Sequence, residues 1–266
     1  MNKFYLAIAT MFLIVSGFVV QQPLDIPTEE RPHFGTGEVL KYKVHYGLIN
    51  AAEAEIEIAP EIHHVNNRPC YRANVFGKTV GSFDFFLRIR DTWRSFIDTS
   101  LIVPQKYYRN VEEGKYRKKE NVTFNHNSKT ALVETKQTLT LKIPDRVQDV
   151  VSGFYYLRTL DFDRYRPGDV IRMKGYFYKK IYDMQVVYKG RETIDTKAGT
   201  FKAFKLVPKM PSTDLFAGES SVSVYLSDDK NKVPVLIKAN LLVGAVKVDL
   251  YEYSGLKYRL NFATSD

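Results

Sequence analysis

Cysteine and tryptophan are nearly absent from this chain of 266 residues, and histidine is scarce. The sequence contains one cysteine, one tryptophan and five histidines. A single cysteine, Cys70, excludes a disulfide framework within the chain. So few Cys and His residues also disfavour a zinc site, which needs several such ligands converging on one ion. We therefore predict no metal and no cofactor.

Motifs that mark catalytic centres are also missing. The sequence has no Gly-x-Ser-x-Gly nucleophile motif and no Walker or dinucleotide-binding glycine loop. Free cysteine is among the most buried residue types, so we interpret Cys70 as a structural thiol. His63 and His64 precede a hairpin-turn signal, Asn66-Asn67, and adjacent side chains on a strand point to opposite faces, so these two do not chelate one ion together. No catalytic residue is assigned.

Only one stretch is apolar for long enough to approach a membrane span. Met1–Gln22 carries a positive charge at Lys3 and an apolar run from Phe4 to Val20, which is typical of a secretory signal peptide. An uncleaved anchor is the alternative, although the run is short of the roughly 20 residues that span a bilayer. We expect an exported protein, periplasmic or otherwise outside the cytoplasm, that is not transmembrane after cleavage. Export also disfavours nucleic acid as a partner.

Strand patterns dominate after an extended, proline-containing lead-in at residues 23–36. Val39–Tyr46 and Ala51–Ile58 alternate apolar and polar side chains, the pattern of half-buried antiparallel strands. Similar runs continue to residue 253, and Ala131–Leu141 is counted among them as one strand. We predict a mainly β fold: a large antiparallel curved sheet or barrel-like sandwich of about 12 strands, with one short central helix.

The central helix is predicted at Asp149–Leu160. Its apolar side chains recur at spacings of three and four residues, and Asp149 is suited to the N-cap position. Gly153 in the middle costs about 1 kcal/mol relative to alanine, so the helix needs tertiary contacts. A second segment, Ser82–Arg90, is compatible with either strand or helix.

The chain also contains an apparent internal repeat. Gly37–Lys43 (GEVLKYK) recurs as Gly168–Lys174 (GDVIRMK), with charge or branching conserved at every position but one. Long-period self-similarity of this kind indicates repeated supersecondary units. The predicted single β domain, residues 37–255, then consists of repeat halves 37–124 and 168–253 with a helical insert at 125–167.

Four phrases along the chain resemble one bacterial family. They are Gly37-Glu38 followed by Leu40, Tyr42 and Val44; Asp149–Arg158 (DVVSGFYYLR); Asp195–Phe201 (DTKAGTF); and Leu226–Asp229 before Val233-Pro234. Their order and content are similar to the exported family called domain of unknown function 3108. The resemblance implies an envelope protein of mostly β structure, and it supplies no reaction, cofactor or catalytic residue. A weaker, fold-level likeness is to periplasmic lipoprotein carriers, whose curved sheet cups a lipid.

The aromatic content suggests what such a protein binds. The chain has 18 Tyr and 17 Phe residues, and tyrosine suits clefts that need an apolar body with a polar tip. We expect an amphipathic or hydrophobic ligand in a groove between the two halves, with Tyr155, Tyr156, Arg158 and Trp93 as candidate contacts. The alternatives are a structural module that docks another envelope protein and a glycan-active enzyme with paired carboxylates.

A basic run, Lys115–Lys119 (KYRKK), raises the question of an anionic partner. Because side chains of a strand alternate between its faces, these charges are expected to divide between the two sides of the sheet. A lysine-protected sheet edge is one interpretation. Binding to anionic lipid or envelope polysaccharide is the other, and such binding should weaken with salt.

Overall fold

The strands of the protein join into one antiparallel sheet. The structure, a computed structural model, describes residues 32–209, 218 and 220–263. The predicted signal peptide, residues 1–22, and most of the lead-in lie outside the described residues. The fifteen strands are β1 (Val39–Tyr46), β2 (Ile49–Ile58), β3 (His63–Val65), β4 (Arg68–Thr79), β5 (Arg90–Asp98), β6 (Pro104–Glu113), β7 (Tyr116–Asn125), β8 (Thr130–Glu134), β9 (Thr138–Lys142), β10 (Val170–Phe177), β11 (Lys180–Thr196), β12 (Gly199–Pro208), β13 (Val222–Ser227), β14 (Pro234–Asn240) and β15 (Ala245–Ser254).

The strand order begins in the second half of the chain and ends in the first. It runs β10-β11-β12-β13-β14-β15-β1-β2-β4-β5-β6-β7-β8-β9, with β3 paired to β4. The last strand, β15, therefore lies beside the first, with Tyr42 opposite Leu250. Strands β9 and β10 are the two edges of this path. The edge of β10 is partly covered, because Gln148 donates its N–H to Lys174 O at 2.8 Å and accepts from Tyr176 N at 2.7 Å.

Two α-helices accompany the sheet. Helix α2 (Val150–Arg158) falls within the segment predicted to be helical. The segment with open assignment contains the short helix α1 (Gly81–Phe86), and the strand β5 begins only at Arg90. Helix α2 packs against β4, β5 and β10, and its apolar residues join the core that the strands form. A 3-10 turn, Phe162–Arg164, follows it. Neither helix of the described chain is long and apolar enough to cross a bilayer.

The prediction of a mainly β, antiparallel architecture is confirmed, with a larger number of strands than expected. The prediction of a single strand at Ala131–Leu141 was wrong, because the chain reverses at residues 135–137 to give β8 and β9. Thr135 closes the turn by donating its hydroxyl to Gln137 O at 2.9 Å. The turn lies in a polar stretch, residues 134–138, that contains no glycine or proline, so the usual residues that mark a turn are missing from the sequence. Residues 125–167 thus hold a hairpin as well as helix α2.

Candidate functional site

The most apolar cavity, cavity 1, lies between the sheet and helix α2. Its volume is about 170 Å³. Its floor comes from neighbouring strands β14, β15, β1, β2, β4 and β5, and its cover from α2 and from Phe83 of α1. The residues that line it include Tyr42, Tyr46, Ala52, Ala54, Val75, Phe83, Asp91, Trp93, Phe154, Tyr155, Ile237 and Leu241.

Small side chains on β2 provide the space for this cavity. Ala52 and Ala54 lie two residues apart, so they share the face of the strand that looks toward the helix. Across the sheet, Tyr42 is paired with Ala54 on one side and Leu250 on the other, so a large side chain borders a small one. Alternation of large and small residues leaves a hollow that the helix does not fill.

The cap of helix α2 fixes this wall of the cavity. The buried carboxylate of Asp149 accepts from Val151 N and Ser152 N, both at 2.8 Å, and Asp149 N donates to Ser152 Oγ at 2.9 Å. This reciprocal pair is a capping box. Ser95 Oγ on β5 donates to the same carboxylate at 2.6 Å and ties the helix start to the sheet. Burial raises the pKa of Asp149 to about 6, although these hydrogen bonds act to lower it.

A smaller apolar cavity, cavity 2, lies on the other side of the same helix. Its volume is about 90 Å³, and its walls include Met173, Met184 and Tyr182 on β10 and β11. Phe154 and Ile237 line both cavities and therefore separate them.

Two tyrosines of the cavity 1 wall, Tyr42 and Tyr155, carry buried hydroxyl groups. Tyr42 and Tyr155 are both at most 2% exposed, and neither hydroxyl has a hydrogen-bond partner among the described residues. Burial raises the pKa of both tyrosines far above the usual value. Both hydroxyls therefore stay neutral and can donate a hydrogen bond. Burying a hydroxyl without a partner is costly, so these two groups are sites where a partner would add stability.

A buried carboxyl pair lies at another part of the wall. Asp91 lines cavity 1, accepts from Glu112 N at 2.9 Å and lies beside Glu113. Burial and the neighbouring charge of Asp91 raise the pKa of Glu113 to about 8, and burial raises the pKa of Asp91. The pair therefore holds one proton near neutral pH. Behind it, Arg109 lies 3.8 Å from Glu120, both almost fully buried.

The carboxyl pair does not have the separation that glycoside hydrolysis requires. Glycosidase carboxyls stand about 5 to 10 Å apart with the sugar between them. Asp91 and Glu113 instead contact one another directly. Among the described residues, no group of three or more His, Cys, Asp or Glu side chains could hold a metal ion. Cys70 is fully buried, and desolvation raises the pKa of its thiol to about 11, so it is not a nucleophile at neutral pH.

The four residues singled out from the sequence occupy different places. Tyr155 and Trp93 line cavity 1. Tyr156 is buried in the core away from this wall. Arg158 does not line it either, because its guanidinium binds both carboxylate oxygens of Glu38, at 2.5 and 2.7 Å, and donates to Asn231 O at 3.1 Å.

Sequence reasoning missed Tyr42 and the alanines of β2. A signal for them was present in the run Ala51–Ile58, AAEAEIEI, where every inward position near the start of the strand is an alanine. A strand that presents small side chains to the core leaves unfilled space beside it, which is a signal for a cavity. The partner of Arg158 gave no such signal, because Glu38 is remote in sequence.

These features define a mainly β protein in which one curved antiparallel sheet and a single packed helix enclose apolar space. A family model described as Protein of unknown function (DUF3108) matches residues 41–251, so the chain belongs to this family. The resemblance inferred from the four sequence phrases is thereby confirmed. No curated protein matches the sequence.

Solved structures resemble the chain in fold. A β-barrel-like protein of domain of unknown function DUF1849 from Brucella abortus superposes with a TM-score of 0.53 and 9% identity, covering 81% of this chain and 96% of its own. A candidate exported protein with a YmcC-like fold from Bacteroides fragilis matches at 0.35 with 10% identity, covering 84% and 97%. A candidate lipoprotein from Parabacteroides distasonis matches at 0.32 with 13% identity, also covering 84% and 97%. The first supports the barrel-like fold.

Proposed function

We propose that the protein binds an amphipathic ligand in cavity 1. The observation that carries the proposal is an apolar hollow between the sheet and helix α2, lined by two tyrosines whose buried hydroxyls have no partner among the described residues. The apolar part of a ligand would fill the space beside Ala54. Its oxygen would accept hydrogen bonds from Tyr42 and Tyr155. Pockets of this type, mostly apolar with a few polar groups, are the usual form of small-molecule sites.

The size of the cavity limits the ligand. An engineered apolar cavity of roughly 150 Å³ in another protein binds benzene, so about 170 Å³ has room for one ring or a short acyl segment. A longer chain would need the space of cavity 2 as well. Movement of Phe154 would provide it, since that ring separates the two cavities. A lipid with an acyl chain and an ester or amide oxygen fits this chemistry.

The proposal includes export and duplication. The apolar run in Met1–Gln22 supports delivery of the protein outside the cytoplasm, where envelope lipids are available. The two halves supply corresponding strands: β1, β2, β4, β5, β6 and β7 in one, and β10 to β15 in the other. Gly37 and Gly168, which precede the first strand of each half, both have positive φ, 83° and 105°. These correspondences support descent of both halves from one meander.

The test is a binding titration with a fluorescent fatty-acid probe delivered from ethanol to the purified mature protein. Ala54→Phe places a ring in the hollow without removing any hydrogen-bonding side chain. We expect at least a tenfold loss of probe affinity from this variant. Glu55→Phe adds the same ring at the next residue, on the other face of β2, and should bind the probe as the wild-type protein does.

Folding of both variants is checked by circular dichroism and by the midpoint of urea unfolding. The double variant Tyr42→Phe with Tyr155→Phe keeps the volume of the cavity wall and removes its two hydroxyls. It should weaken binding of the acid probe more than binding of an alkane-like probe. Saturable binding that is equal in the wild-type protein and Ala54→Phe would place the ligand elsewhere and contradict the proposal.

A further inference from the structure

The most exposed apolar side chains are concentrated at one end of the sheet. Among the described residues, six large apolar side chains are more than half exposed, and all six lie at three connections. They are Leu48 and Ile49 at the β1–β2 turn, Phe85 and Phe86 between β4 and β5, and Leu242 and Val243 at the β14–β15 turn. We call these six residues the rim. Exposure reaches 88% at Phe85 and 102% at Leu48, so the core does not account for them.

The three connections form one continuous surface. Strands β14, β15, β1, β2 and β4 are consecutive neighbours in the sheet, so their turns at this end are adjacent. Tyr46 Oη donates to Val243 O at 2.9 Å, which joins the β14–β15 turn to the end of β1. The Tyr46 ring also lies 6.3 Å from that of Phe83 in α1. Contiguous apolar patches of this kind mark interaction sites.

Cavity 1 reaches the same end of the sheet. Tyr46, Phe83 and Leu241 line the cavity, and each lies within a few residues of a rim side chain. The rim therefore surrounds the end of the apolar hollow. A ligand that enters or leaves cavity 1 at this end would therefore pass the surface that the rim contacts.

Cations accompany the rim. Arg88 is exposed two residues after Phe86, and neither it nor exposed Lys115 forms an ion pair with a described residue. Gly114 N donates to Arg88 O at 2.8 Å, which brings the β6–β7 turn and Lys115 beside the α1 connection. The acidic residue of that connection, Asp84, is neutralised by Arg90 at 2.7 Å. An anionic surface thus complements this end of the molecule.

We propose that the rim docks on an anionic lipid bilayer. Apolar side chains on protruding turns can enter the boundary between headgroups and acyl chains, while Arg88 and Lys115 contact lipid phosphates. Lys115 of the basic sequence run thereby acquires a partner. Arg117 is already paired with Glu112 at 3.5 Å, and Lys118 points inward, with its ammonium 4.2 Å from the Tyr178 ring centroid. The docking proposal rests on the rim and its cations and does not depend on the ligand of cavity 1. If that ligand is a lipid, docking also brings the cavity to the bilayer that supplies the lipid.

Flotation of the purified mature protein with lipid vesicles tests the proposal. We expect binding to vesicles of phosphatidylcholine with phosphatidylglycerol, weaker binding to phosphatidylcholine alone, and loss of affinity as NaCl increases. Phe85→Ser with Phe86→Ser should lower the partition coefficient at least about tenfold, since each ring contributes apolar contact area. Arg88→Gln with Lys115→Gln should cost roughly fivefold per charge on the anionic vesicles.

Matched controls lie on the β8–β9 hairpin. Leu132→Ser with Leu139→Ser removes two partly exposed apolar side chains away from the rim, and Lys142→Gln removes an exposed cation from the strand end of the same hairpin. Both controls should float as the wild-type protein does. Equal binding by rim and control variants would overturn the proposal, and so would no flotation on any vesicle. A concentration-dependent dimer that Phe85→Ser with Phe86→Ser abolishes, without flotation, would assign the rim to a second copy instead.

The two proposals fail separately. Ala54→Phe should float normally and not bind the fatty-acid probe. The variant with Phe85→Ser and Phe86→Ser should bind the probe from solution and not float. If neither variant separates the two activities in this way, the rim and the cavity are not the independent surfaces described above, and the docking proposal is wrong.

Discussion

At the scale of single residues, the clearest structural device is the buried ion pair of Arg158 and Glu38. Both side chains are about 1% exposed, and the pair joins helix α2 to the residue that precedes β1. Arg158 also reaches the β13–β14 loop through Asn231 O. The pair therefore connects three parts of the chain that are far apart in sequence. An arginine satisfied in this way is a structural residue rather than a ligand contact.

Glu38→Ala should strongly destabilise the fold, because it leaves a guanidinium buried without its carboxylate. We expect a loss of about 3 to 5 kcal/mol in the free energy of unfolding, measured in urea. Glu38→Leu with Arg158→Met removes both charges and should cost less than the single change. A loss below about 1 kcal/mol for Glu38→Ala, the range of exposed pairs, would contradict the buried-pair interpretation.

The carboxyl pair of Asp91 and Glu113 predicts a pH dependence of stability. The folded-state pKa of Glu113 is raised to about 8, above an unfolded value of about 4.3. Between these values the folded protein keeps a proton that the unfolded chain has lost. Stability from this group is thus fully present below the unfolded pKa and falls as pH rises toward the folded pKa.

Urea unfolding at pH 6 and pH 9 measures this effect. Glu113→Gln should reduce the loss of stability between the two pH values relative to the wild-type protein. Glu112→Gln is the matched control: hydrogen bonding by Asn110 lowers the pKa of exposed Glu112, so it does not titrate in this range. The interpretation is wrong if Glu113→Gln and Glu112→Gln show the same pH dependence.

At the scale of elements, helix α2 is the part that the sequence predicted best. The apolar spacing and the Asp149 cap are local signals, and both are present in the folded helix. Strands with one buried face, such as β6 and β7, were also visible as alternation. The hairpin of β8 and β9 was not separated, because the turn at Thr135 has no glycine or proline. Helix α1 was ambiguous because its exposed Phe85 and Phe86 mimic core residues in sequence.

Asp149→Ala should loosen helix α2 and the cavity wall together. Loss of the cap is expected to cost about 1 to 2 kcal/mol of stability and to weaken probe binding, since the helix covers cavity 1. Asp149→Asn retains a capping oxygen and should lose less. Asp161→Ala removes the exposed cap of the 3-10 turn and serves as the control, with probe binding unchanged. Equal probe binding in Asp149→Ala and the wild-type protein would show that the helix start does not shape the cavity.

At the scale of the whole molecule, the decisive feature is the order of the strands. The pairing of β15 with β1 brings the two ends of the described strands together and completes the floor of cavity 1. No local pattern reveals such a pairing, because alternation indicates only which face of a strand is buried. The residues of the candidate site likewise divide into those with a local signal and those that depend on strand pairing. Tyr155 and Trp93 were found from composition and helix position, whereas Tyr42, Ala54 and the rim depend on which strands are neighbours.

The central claim is that cavity 1 holds an amphipathic ligand, and native mass spectrometry of the protein purified from the cells that make it tests this claim most directly. We predict a species with the mass of the mature chain plus one lipid-sized molecule, and the absence of that species from Ala54→Phe prepared in parallel. Glu55→Phe should carry the same added mass as the wild-type protein. The account is contradicted if the wild-type protein carries no bound molecule, or if Ala54→Phe retains the same one.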